Sequence, residues 1–201
     1  MNTTRTLFTT TLAVATALTL TACSSDNSSG MSGMNNASTS TASPTPSASA
    51  STSAFNAQDL EFAMMMKPHH EQAVEMADIM LAKDGISQDV ATLATEIKTS
   101  QGPELDQLEE WVTVWGAGVS MQHDMGGMMS DDDMAALDSA TGTDAEKLFL
   151  EQMTAHHEAA VEMAQTEVDG GQNPDAVEMA NTIVTTQTEE IATMQSLLAS
   201  R

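Results

Sequence analysis

The chain has 201 residues, with 29 acidic against 6 basic side chains and a formal charge of −23 at pH 7. A field of that sign repels phosphate backbones and anionic head groups, which argues against nucleic acid or a bare anionic membrane surface as a partner, and it attracts cations. The length allows one domain with a real core plus additional segments.

The additional segments come first. Leu7 to Leu20 is an apolar, Thr-rich run behind a single basic residue, Arg5. It is too short for a stable bilayer span and has the proportions of a secretory leader. It ends in Leu20-Thr21-Ala22-Cys23, the pattern of a bacterial lipobox, and Cys23 is the only cysteine. A lone cysteine cannot close an internal disulfide, so its place directly after the leader is best explained by lipidation. The sequence thus predicts a lipoprotein signal peptide over 1–22 and a chain held on the outer face of the cell membrane through Cys23. Loss of Arg5 with the leader leaves 5 basic against 29 acidic residues, or −24. Residues 23–54 are rich in Ser, Thr, Ala and Pro, cannot bury a core, and read as a tether.

From Phe55 onward apolar residues recur at helical spacing, with no strand-like run of β-branched residues. A first helix is predicted over about Ala57 to Lys83, stopped by Gly85. A second is predicted over about Ser87 to Trp115, interrupted at Gly102-Pro103, because proline cannot donate its ladder hydrogen bond. Gly116 to Ser130 reads as a loop, followed by a short helical turn near Asp131 to Leu137. A third helix begins after Thr143, where Thr143 and Glu146 fit a capping box, and ends at Gly170-Gly171. A fourth opens with Asn173 as N-cap and Pro174 at the first helical position and runs to about Ala199. Trp111 and Trp115, one turn apart, read as packing at the end of the bundle.

An internal repeat organises residues 55–201. Phe62 to Ala77 aligns without a gap with Phe149 to Ala164, sharing Phe, Met, His, His, Glu, Ala, Val, Glu, Met and Ala. A second echo follows in each half, Gln101-x-x-Glu104-Leu105 and Gln187-x-x-Glu190-Ile191. Each half, about 55–115 and 143–201, is therefore a helical hairpin, with a Met-rich loop at 116–142 between them. Two such hairpins pack as an all-α, ferritin-like four-helix bundle.

The repeat also carries the chemistry. At about 100° per residue, with His69 at 0°, Met66 falls near 60°, Ala73 near 40°, Met76 near −20° and Met80 near 20°. Phe62, Met66, Ala73, Met76 and Met80 then form a core stripe flanked by His69 and His70. Met153, His156, His157, Ala160 and Met163 repeat it on the third helix. Ala73 and Ala160 are small enough to let the two helices approach, which would bring four imidazoles and several thioethers together. Thioether sulfur is soft and suits Cu(I), and imidazole serves both oxidation states of copper. Glu71 and Glu158 are candidates to orient the imidazoles or to ligate Cu(II). Methionine on a helical stripe usually fills core, and that reading stands beside ligation for Met76 and Met163. Two adjacent His pairs at equivalent points of two repeats are harder to explain as packing, since each buried imidazole needs a partner. The loop holds a second cluster, Met121, His123, Met125, Met128 and Met129, in a Gly-containing stretch with no core of its own; a sacrificial oxidation site is the alternative there.

The doubled Phe-x-x-x-Met-x-x-His-His-x-x-Ala-Val-x-Met-Ala pattern, its Gln-x-x-Glu echoes, and the Met125 to Met134 segment resemble the domain of unknown function 305 family. The resemblance spans Phe55 to Arg201. It implies a ferritin-like four-helix bundle, usually exported and often lipid-anchored, with copper binding and copper tolerance among some members. His69, His70, His156, His157, Met66 and Met153 carry the family signature, and the chain departs from it at Gly102-Pro103.

Three functions are compatible with these residues. The first is a lipid-anchored protein that sequesters or transfers copper ions without turnover. The second is an envelope or interaction protein whose His and Met serve packing. The third is a di-iron oxidase, which has less support. Such bundles use Glu-x-x-His, and the residues three before each His are Met66, Lys67, Ser120, Met153 and Thr154. No triad or phosphate-loop pattern supports a hydrolase or a nucleotide-dependent enzyme.

Overall fold

The computed structural model describes residues 54–116 and 126–201. The leader, Cys23, nearly all of the tether, and Met121, His123 and Met125 lie outside the described residues. Within them the secondary structure is helical: α1 Ala57–Leu81, α2 Gln88–Trp115, α3 Asp131–Ser139, α4 Gly142–Gly170 and α5 Pro174–Ala199. None of these helices is long and apolar enough to cross a membrane.

Local chemistry sets the helix ends. The Asn56 side chain accepts from the amides of Gln58 and Asp59, and the Asp59 carboxylate accepts in return from the Asn56 amide, closing a capping box at the start of α1. Ser130 and Asp133 do the same for α3. Asn173 caps α5 ahead of Pro174, as the sequence predicts. Gly85 takes a φ of +76° after α1, a turn conformation that L side chains resist.

Two expectations need correction. α2 is not interrupted at Gly102-Pro103; the helix runs through both. Pro103 leaves the Thr99 carbonyl without its helical donor, but both residues are exposed, so water can take that carbonyl. Meanwhile Leu93, Ala94 and Ile97 before the proline, and Leu108 and Trp111 after it, are buried and hold the helix on one line. Nor does the Thr143/Glu146 box form. α4 starts two residues earlier, at Gly142, and its N-cap Thr141 makes no side-chain cap bond. Glu146 instead accepts from the Ser87 amide and the Arg201 guanidinium, joining the start of α2 to the end of α5.

The two hairpins α1/α2 and α4/α5 join mainly through α1 against α4, while α2 and α5 meet along a much smaller contact. The core has two parts. Met66, Phe62 and Ala63 of α1 share one cluster with Ala160 and Ala164 of α4 and with Leu108, Trp111 and Trp115. Ala73, Met76 and Met80 share the other with Met153, Phe149 and Leu150, and Leu137 of α3 completes it. The pairing of early α1 with late α4 makes these helices antiparallel. Their central turns, which carry the histidines, lie between the two apolar clusters. Phe55, Trp115 and Trp111 stack in series at one end, with successive centroids 5.0 Å apart.

Candidate metal centre

The midpoint of the α1–α4 interface is built from imidazole. His69 and His156 stack with centroids 3.6 Å apart and planes tilted by 35°. All four histidines of the repeat are at most 2% exposed. The two His-His pairs therefore converge inside the bundle and do not face solvent. Ala73 and Ala160, both fully buried, permit this approach.

The outer two rings are oriented from the second helix of each hairpin. His70 Nε2 lies 2.8 Å from Glu104 Oε2, and His157 Nε2 lies 2.8 Å from Glu190 Oε2. A carboxylate can only accept, so Nε2 carries a proton, and in the neutral ring the lone pair is on Nδ1. Both Nδ1 atoms are buried without a partner. The carboxylate–histidine pair is the arrangement that commonly stands behind a metal-bound imidazole. The inner rings have less: neither nitrogen of His69 or His156 has a hydrogen-bond partner. Burial first, then the neighbouring His70 and His157, hold the His69 imidazole down to about 3, so it stays neutral in any ordinary solution. Burial, then His69, His157 and His70, push His156 well down in the same direction, against a smaller opposing pull from the His69 backbone.

Sulfur lies on both sides of this layer. Met66 and Met153, each three residues before the first histidine of its repeat, are fully buried in opposite core clusters. Met76 and Met163 are not brought to the layer. Each stands seven residues past its histidine, about 10 Å along the axis. Met76 fills core and Met163 packs half-buried against the other cluster. Among the described residues, no three His, Cys, Asp or Glu side chains already surround a single point.

Glu71 and Glu158 do not orient the imidazoles. Both are exposed, and Glu71 pairs with Lys67 one turn back. The position directly after a buried His-His pair points away from the core, whereas α2 and α5 face it. The residues that do this work, Glu104 and Glu190, are visible in the sequence as the Gln-x-x-Glu echo, but the echo gives no hint that it lies opposite the histidines. Gln101 and Gln187 of the same echo are also buried, and Gln101 has neither side-chain polar atom partnered.

The Met-rich loop meets the bundle here. Met128 and Met129 are half-buried, and Met129 packs against the α3 side of the core. Gln72 Nε2 donates to the Met129 carbonyl at 2.8 Å, and the Met129 amide donates to Gln72 Oε1 at 2.7 Å.

Fold and site define a duplicated helical-hairpin bundle with a buried layer of imidazoles flanked by thioether. The sequence pattern described as "Domain of unknown function (DUF305)" matches residues 59–198, and the chain belongs to that family. Similar solved structures include a DUF305 fragment from Deinococcus radiodurans, at 32% identity and a TM-score of 0.65 over 73% of this chain and 98% of that one. A putative secreted DUF305 protein from Streptomyces coelicolor is 32% identical, with a TM-score of 0.65 over 71% and 93%. CopM in its Cu(I)-bound form is 26% identical, with a TM-score of 0.59 over 71% and 96%. Its Cu(II)-bound form gives 28% and 0.60 over the same shares, and CopM has also been solved with Ag. No curated protein matches the chain.

Proposed function

We propose that this protein is a lipid-anchored, outward-facing binder of soft metal ions, copper above all, that sequesters or hands on its ion without catalytic turnover. The observation that carries the reading is the set of six imidazole nitrogens of His69, His70, His156 and His157 buried without partners, beside Met66 and Met153. Each unsatisfied buried polar atom costs about 1–3 kcal/mol. In neutral rings four of the six are bare lone pairs, one on each histidine, and a bound Lewis acid would offset that part of the penalty. Neutral imidazole and thioether are the donors Cu(I) prefers. The rings of His69 and His156 face one another, so an ion would approach at their nitrogen edges. CopM, solved with copper and with silver, supports the choice of metal.

The test is titration of the full-length protein with Cu(I) under reducing conditions and with Cu(II), followed by X-ray absorption at the metal edge. Mixed nitrogen and sulfur scattering is expected, abolished in a His69→Leu/His156→Leu variant. Equal affinity in that variant would sink the reading. No copper uptake at all would favour a structural envelope protein, a role consistent with the lack of three converged ligands among the described residues. For the anchor, full-length protein made in a bacterial host is expected in the membrane fraction with an acyl mass increment. Cys23→Ser is expected to move it to the soluble fraction.

A further inference from the structure

Among the described residues, the Met-rich loop comes up against the imidazole layer at Gly127, and that point is built for close approach. Gly127 has a φ of +83°; a Cβ there would overlap the Cβ of Ala159 and lie 3.7 Å from His69 Nε2. Loop backbone therefore lies against α4 one turn past His156 and beside a buried nitrogen with no partner. Two glutamines hold it there. Gln72 makes its paired bonds with the Met129 backbone, and Gln152 Nε2 donates to the Asp133 carbonyl at 3.1 Å. Both glutamines are 8% exposed, so these bonds are sheltered from competing water.

The repeat shows that this docking is specific. Aligning Phe62 to Ala77 with Phe149 to Ala164 sets Gln72 opposite Ala159 and Gln152 opposite Met65. The positions that receive the loop are thus ones where the halves differ, while the His and Met positions of the layer are common to both. Long polar Gln72 grips the loop from α1, and small Ala159 leaves room for it on α4. A single loop cannot be accommodated by two identical halves, and the differences fall where it lies.

We propose that Gln72 and Gly127 are positioning residues that fix the Met-rich loop against His69, so that an ion held by the imidazole layer takes a loop thioether as a further ligand. The donor assigned is Met128, half-buried and next to Gly127 in the chain. This rests on the metal reading above and makes bundle and loop one site. A preorganised outer contact of this kind typically contributes 10–100-fold to metal affinity.

The test uses full-length protein loaded with Cu(I), with affinity read by competition against a Cu(I) chelator and sulfur count read by X-ray absorption. Met128→Leu, which keeps shape and removes sulfur, is expected to lose one sulfur scatterer and bind about 10–100-fold more weakly. Gln72→Ala is expected to show the same sulfur loss although Met128 is intact, which a merely destabilised bundle would not produce. Gly127→Ala adds a third route to that loss. Wild-type protein that binds copper, with Gln72→Ala and Met128→Leu unchanged in sulfur count and affinity, overturns the inference and leaves the metal reading standing. Failure of wild-type protein to bind, or binding unaffected in His69→Leu/His156→Leu, overturns both.

Discussion

At His70 and His157 one hydrogen bond decides what the side chain can do. With Glu104 on Nε2, the His70 ring offers its Nδ1 lone pair inward. Truncating the acceptor leaves a buried N–H unsatisfied, so Glu104→Ala is expected to lower the unfolding free energy by about 1–3 kcal/mol, read by chemical denaturation of the metal-free protein. The inner rings predict the opposite. His156 is buried with neither nitrogen partnered, so His156→Leu removes a penalty along with a ligand. The metal-free variant is expected to be as stable as wild type or more so, by up to about 1–3 kcal/mol, while copper affinity falls. Loss of stability comparable to a core truncation would contradict this. These residues also mark the limit of the sequence. The histidines and Met66 and Met153 could be found from a doubled motif because helical periodicity fixes which residues share a face. Their carboxylate partners could not, because periodicity within α1 says nothing about which turn of α2 lies opposite.

At the scale of the element, the sequence showed the helices clearly and was misled by their punctuation. Gly102-Pro103 predicts a break in α2, but a helix in a bundle is stabilised along its length by packing, which outweighs one missing ladder bond. The strain remains and can be relieved. A methyl group at Gly102 would meet only open space, and Pro103 is exposed. Gly102→Ala/Pro103→Ala is therefore expected to raise stability by about 1–4 kcal/mol, seen as a higher denaturation midpoint with unchanged copper affinity. The Thr143/Glu146 box failed for a related reason. Local capping competes with long-range partners, and the Arg201 guanidinium and Ser87 amide hold Glu146 more strongly than one helix terminus can. The side-chain oxygens of Asn56 and Asn173 each accept from two amides in the first turn of their own helices and cap them.

Across the whole molecule, the joint between the two hairpins is also a titrating one. Asp59, in the first turn of α1, accepts from the amides of Gln172 and Asn173 at 2.9 and 2.8 Å, tying the start of the first hairpin to the turn of the second. Glu167 of α4 is fully buried beside it. Burial, then contact with the Asp59 carboxylate, pushes the Glu167 carboxyl up to about 8, against an ordinary value of 4.5. The folded state thus binds this proton more tightly than the unfolded state. Its contribution is complete below pH 4.5 and disappears as pH rises through about 8. Asp59 shifts the other way, held down by backbone N–H bonds against its burial, so its contribution is present above its ordinary value of 3.8 and is lost on acidification. His69 and His156, kept neutral by the fold, oppose the Glu167 loss below their ordinary value of 6.5, so stability is expected to decline only from about pH 6.5 to pH 9. General repulsion in a chain of charge −23 adds to that decline. Glu167→Gln separates the two, because its amide donates to Asp59 at every pH while the remaining charges are untouched. The variant should match wild type near pH 5 and exceed it by about 1–3 kcal/mol at pH 9 in chemical denaturation at fixed salt. Parallel curves for the two proteins across that range would mean that Glu167 carries no linked proton, and that charge repulsion alone sets the alkaline limit of the bundle.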